Sequence, residues 1–184
     1  MKINIGIITK SVDQKTSGSG WHVKNIVENI LKLNNNYKIY LIHYHTNIDE
    51  PIYKEADITE VIVPRNPILA SRILSKLDLK IVHYTSLSIL SPIYWIKSKK
   101  VATIHGCSSY YLPHQFSLIT RLHEKYIRPF LVNKMDYVFT VSNASKKLIQ
   151  YHDRYSPEKI VLTYNAVDSE FTPANEKENS KFVD

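Results

Sequence analysis

Eight histidines stand in this chain of 184 residues, and several fall where short apolar runs stop. His83 lies in "KIVHYTS", His105 closes "KKVATIHG", and His43 and His45 share "YKIYLIHYH". A neutral imidazole both donates and accepts hydrogen bonds, so a strand-end histidine can hold a sugar hydroxyl or a phosphate. His83 and His105 are therefore candidates for ligand contact, with plain packing as the other reading of each. His43 and His45 have the spacing of two that puts side chains on one side of a strand. No metal is expected, since there is no HExxH and no cysteine pair for a closed zinc site. His43 reads as a packed sheet residue.

Two further groups of residues could do chemistry. "SGSGWHV" sets Gly18 and Gly20 ahead of a helical stretch that contains His22. Small residues there let backbone N–H groups and the positive helix end approach an anion, and a flexible lead-in to a helix is the alternative. A dinucleotide site is not indicated. The third glycine position of GxGxxG is Val23, and no acidic residue ends the second strand to hold a ribose. Further along, Arg121, Lys125 and Arg128 recur at i, i+4 and i+7 on a helix expected from about Gln115 to Asn133. Phe116, Ile119, Tyr126, Ile127 and Phe130 gather on the opposite side. The pattern reads as a core face with a solvated basic back, or as a basic stripe resting on anionic lipid headgroups. Aromatic residues are not interleaved with these cations, so no nucleic-acid partner is expected.

The elements that position these residues alternate. "INIGIIT", "YKIYLIHYH", "TEVIVP", "KIVHYTS", "KKVATIHG", "MDYVFTVS" and "KIVLTYN" read as strands. Between them lie helical patterns: Val23, Ile26, Val27, Ile30 and Leu31 on one face, then "PILASRILSKL", "SILSPIYWIKS", the helix from about Gln115, and "NASKKLIQYH" with Ser142 as its N-cap. The expected fold class is α/β, a Rossmann-like parallel sheet of about seven strands flanked by helices. Such sheets bind ligands outside the carboxyl ends of their strands, where His45, His83, His105 with Gly106, and Ser142 fall.

A hydrophobic fraction of 43% with 11% aromatic residues supports a packed core. The net charge of +7 favours an anionic partner. The single cysteine, Cys107, points to a reducing cytoplasm rather than a disulfide framework, and no function is read for it. The first residues read as a strand, not a signal peptide, and no apolar run is long enough to span a membrane.

Five pieces in this order carry a resemblance: "GSGWHVKNIVENILK", "KIVHYTS", "KKVATIHG", "YVFTVSNASKKLI" and "EKIVLTYNAVDSEFTP". Together they resemble the N-terminal domain of the retaining glycosyltransferases of family 4 (group 1), which have the GT-B fold. The resemblance implies transfer of a sugar from a nucleotide-sugar to a glycan, lipid or small-molecule acceptor, with retention of configuration and no metal requirement. It implies that His105 is the active-site histidine. Gly18 and Gly20 would lie near the donor diphosphate, and His22, His83, Gly106 and Ser142 would bind substrate. Ala166 stands where the family has glycine, and Ser19 separates two glycines that are often adjacent. Residues 1–173 would be the acceptor-side domain and 174–184 a linker towards an absent nucleotide-sugar-binding domain, so a truncated and inactive piece is expected. The competing reading is a non-catalytic Rossmann-like module docking an anionic partner, or the inner face of a membrane, through Arg121, Lys125 and Arg128.

Overall fold

The computed structural model describes residues 2–9, 18–33, 36–44, 51–106 and 108–166. His45, Cys107, the residues ahead of Gly18 in the glycine segment, and the tail from residue 174 lie outside these. Seven strands form one sheet: β1 (Ile3–Ile8), β2 (Tyr37–His43), β3 (Ile58–Ile62), β4 (Ile81–Tyr84), β5 (Lys99–Ile104), β6 (Tyr137–Thr140) and β7 (Ile160–Leu162). Their order is β3-β2-β1-β4-β5-β6-β7, and all pairings are parallel. The direction of winding reverses at β1, so β1, β4 and β5 are central and their carboxyl ends open on one edge.

The β-branched runs become strands because a parallel sheet buries both faces, and alternate side chains serve two cores. Ile7, Ile39 and Leu41 pack with Val23 and Val27 of α1 (Gly18–Leu33) on one face. On the other, Ile8, Ile42, Val82, Ala102, Ile104 and Val138 meet Leu74 of α2 (Pro67–Leu74), Leu131 of α5 (Arg128–Val132) and Ile149 of α6 (Asn143–Asp153). Each fully buried aliphatic side chain contributes about 1.5–3 kcal/mol. Asn66 caps α2, its side chain accepting from the backbone of Ile68 and Leu69, with Pro67 as the first helical residue.

Two expected helices differ. "SILSPIYWIKS" is not helical: the backbone of Ser91 bonds to Ser88 and the Ser88 N–H to the Ser91 hydroxyl, closing a turn. Pro92 follows with no N–H to donate, its carbonyl accepting from the Tyr84 hydroxyl at 2.7 Å. Trp95 takes a left-handed φ of 55°, while Ile93 and Ile96 are buried beside it. The helix expected over Gln115–Asn133 is in pieces. After α3 (Ser108–Tyr111) and a 3₁₀ turn at Pro113–Gln115, α4 (Leu118–Leu122) runs through a π turn (His123–Ile127) into α5. Pro129 sits just after the π turn and lacks the N–H that a regular helix would bond to residue 125.

The π turn changes which face is inside. Ile119, Tyr126 and Phe130, expected to be core, are exposed at 80%, 59% and 52%. Arg128, expected on the solvated basic back, is 5% exposed and gripped between two carboxylates. Its Nε and Nη2 donate to Asp153 at 3.1 and 2.7 Å, and Nη1 donates to Glu124 at 2.6 Å. The three-residue basic stripe therefore does not exist; Arg121 and Lys125 alone face water.

Candidate functional site

Two strand ends and α1 bring the three predicted site histidines, His22, His83 and His105, together. His105 follows β5 directly, and its ring meets the ring of His22, from the second turn of α1, edge to face at 4.6 Å between centroids. His83, in the neighbouring strand β4, lies beneath them with 8% exposure. Its Nε2 is 2.8 Å from the Thr103 hydroxyl, and Phe139 meets its ring edge to face. Thr103 sits one residue before Ile104, so its side chain is on the His83 side of the sheet while Ile104 points into the opposite core.

Burial and mutual proximity keep this group uncharged. His83 is pushed down to about 4, chiefly by burial and further by the neighbouring His22 and His105. Burial likewise lowers His105, and burial together with His105 lowers His22. Neutral imidazoles can each donate from one nitrogen and accept at the other.

His105 and His22 line an open cleft of about 1050 Å³ with Gly18, Asn25 and Lys32 of α1 and Tyr164 beyond β7. Gly18 and Gly20 are not in a loop ahead of α1, as expected, but in its first turn. Gly18 lines the cleft, and a Cβ there would meet nothing within 4 Å; Gly20 is buried. The first turn of α1 carries no acidic side chain, so no carboxylate of that turn offsets the positive end of the helix dipole.

The remaining predicted residues act around the cleft rather than in its lining. Ser142 caps α6 as expected, accepting from the Ser145 N–H at 3.1 Å. The Ser145 hydroxyl is 3.0 Å from that of Ser142 and donates to the His105 carbonyl at 3.2 Å. The capped helix start thus fastens the backbone on which His105 stands. Gly106 is exposed and has no positive φ, and a Cβ there would meet nothing within 4 Å, so neither its φ nor the space around it requires glycine at this position. His43 is fully buried, its Nε2 2.8 Å from Glu60 and its ring stacked on Tyr53, as a packed sheet residue. Among the described residues, no group of three His, Cys, Asp or Glu side chains is placed to hold a metal ion, and no helix is long and apolar enough to cross a membrane.

Sequence reasoning passed over Thr103, Ser145 and the aromatic residues Trp21 and Tyr164, which line the cleft at 61% and 69% exposure. Ser145 was signalled only by its place three residues after a capping serine, and Thr103 only by the strand's alternation.

The Glycosyltransferase Family 4 model matches residues 16–171. Two solved structures are similar in fold. One is a glycosyltransferase from Rickettsia africae ESF-5, with a TM-score of 0.59 at 18% identity over 98% of this chain and 48% of the other. The second is the apo form of the lipopolysaccharide outer core galactosyltransferase WaaB, with a TM-score of 0.57 at 17% identity over 91% of this chain and 46% of that one. The chain thus spans about half the length of these structures. No curated protein matches it in sequence.

Proposed function

Since the chain belongs to glycosyltransferase family 4, we propose that it forms one wall of the cleft in which a hexosyl group passes from a nucleotide-sugar to an acceptor with retention of configuration. In this reading residues 1–173 are the acceptor-side domain. Residues 174–184 lead towards a domain that holds the nucleotide, so the 184 residues alone transfer no sugar. The reaction takes place in the cytoplasm, with a glycan, a lipid or a small molecule as acceptor.

One observation carries the reading: His105 stands at the carboxyl end of a central parallel strand, in an open cleft shared with the first turn of a long helix. Departure of a nucleoside diphosphate develops negative charge on its phosphates. The positive end of the α1 dipole, with no acidic side chain in its first turn and open space above Gly18, suits that charge, and no resident metal is part of the proposal. His105, held neutral, orients a hydroxyl of the reacting sugar, and His22 packs against its ring to fix the angle. Trp21 and Tyr164 offer apolar ring faces to the sugars at the cleft wall. The non-catalytic docking alternative loses one of its three cations, because Arg128 is inside.

The test uses the polypeptide that carries this chain together with its nucleotide-binding half. His105→Ala should lower kcat about a hundredfold or more while leaving the unfolding midpoint unchanged. Near-normal turnover would remove His105 from the reaction.

A further inference from the structure

His105 stands one residue beyond the sheet. The last paired position of β5 is Ile104, opposite Thr140 of β6. Gly106 follows, exposed and with nothing within 4 Å of the place its Cβ would take. Among the described residues His105 makes one hydrogen bond, its carbonyl accepting from the Ser145 hydroxyl at 3.2 Å. Its ring meets the ring of His22 edge to face at 4.6 Å. The side chain at the centre of the cleft is therefore held by one hydrogen bond at its backbone and one ring contact at its tip. Ser145 can give that bond because of where it sits. It lies in the first turn of α6 and is 7% exposed. Its own N–H donates to the Ser142 hydroxyl at 3.1 Å, and that hydroxyl donates to the Ser145 hydroxyl at 3.0 Å. A hydroxyl that accepts from Ser142 has its own hydrogen left for the His105 carbonyl. Ile149, fully buried in the core, anchors α6 itself.

We propose that Ser145 is a positioning residue for the transfer reaction: through the His105 carbonyl it fixes the place and angle at which the imidazole meets the reacting sugar. Two serines in one helix start then have separate tasks. The Ser142 hydroxyl caps α6, and the Ser145 hydroxyl carries the position of that helix start across to the end of β5. The difference shows in what each variant loses. Ser145→Ala keeps the backbone N–H that Ser142 caps, and water can bond the carbonyl of the exposed His105 in place of the hydroxyl, so little stability is at stake. Direction is what goes. A misplacement of about 1 Å can cost about a hundredfold in rate, and the loosening here is smaller because the His22 contact stays. The inference rests on the reading of His105 as the residue that orients the sugar.

The test uses the full-length polypeptide. Ser145→Ala should lower kcat about tenfold, with the KM for the nucleotide-sugar and the unfolding midpoint unchanged. Ser145→Thr keeps the hydroxyl and should restore most of the turnover. Burial holds the His105 imidazole below its ordinary range, so its titration, followed by NMR, reports the place of the ring without any substrate. In Ser145→Ala that titration should move up towards the ordinary value, and in Ser145→Thr it should stay. The proposal is overturned by normal turnover in Ser145→Ala, by a folded Ser145→Thr as slow as Ser145→Ala, or by a His105 titration that Ser145→Ala leaves in place. Normal turnover in His105→Ala would instead sink the reading on which the proposal rests, and the titration would still show whether Ser145 holds the ring.

Discussion

Replacing Arg128 by methionine keeps most of the side-chain stem and removes the guanidinium from between Asp153 and Glu124. Asp153 ends α6, and its side chain is fully shielded from water. Its carboxylate oxygens accept from Arg128 at 3.1 and 2.7 Å, whereas Asn133 donates only to its backbone carbonyl. Without Arg128 that carboxylate is left in the interior facing no cation. Breaking one side of a buried pair costs about 3–5 kcal/mol, the figure expected for Arg128→Met at neutral pH. Glu124 adds little, because its side chain is 22% exposed and can turn to water.

The sign of the pH effect follows. Burial already raises the Asp153 carboxyl against the pull of Arg128, and removing Arg128 raises it further above its unfolded value. The folded variant then takes up a proton before the unfolded chain does, so the penalty should shrink as the pH falls below neutral. Arg128→Met combined with Asp153→Leu removes both charges and should unfold within about 1 kcal/mol of the wild type, since replacing both partners by apolar groups is often nearly neutral. Urea unfolding followed by circular dichroism, at neutral and mildly acidic pH, measures all of this. A single-variant cost under about 1 kcal/mol, or a double variant as damaged as the single, would show that the pair does not hold α5 to α6 as described.

Two other perturbations have calculable outcomes. His83 titrates near 4 in the folded chain against 6.5 in the ordinary state, so its neutral form contributes stability that is complete above 6.5 and is lost as the pH falls towards 4. At about 1.36 kcal/mol per pH unit that gap amounts to roughly 3 kcal/mol. His83→Gln should flatten the acid limb of a denaturation-versus-pH curve by a comparable amount, and a curve parallel to the wild type would contradict the burial argument. Ser142→Ala removes the cap of α6 and should cost about 1 kcal/mol in urea unfolding. An unchanged midpoint would mean that the 3.1 Å capping bond carries no weight.

The sheet was legible because β-branched runs such as "KIVHY" and "KKVATI" have no other good use, and the helices between them left parallel winding as the way to connect them. His83, His105 and Ser142 could be placed for the same reason, since strand ends and helix starts are fixed once the runs are found. What periodicity could not give was phase. A straight helix from Gln115 puts Arg128 outside and Phe130 inside, and the π turn before Pro129 reverses both. Nor could it show that "SILSPIYWIKS" buries Ile93 and Ile96 without being helical, because that depends on the Ser88–Ser91 turn and on Pro92 accepting from Tyr84. The support under His105 was equally hidden. Ser145 reaches its carbonyl across forty residues of chain, a contact that only the assembled sheet creates.

The π turn also has an angular meaning. In a regular α-helix, side chains four residues apart drift around the axis by about 40° at each step, so a row of four would wind through about 120°. A flat surface cannot touch both ends of such a row. The wider π turn at His123–Ile127 rotates the chain by less per residue and takes back part of that winding. It thereby straightens the line from Leu118 to Phe130 into an edge that can lie along a plane, at the cost of a less regular hydrogen-bond ladder in the middle of the helix.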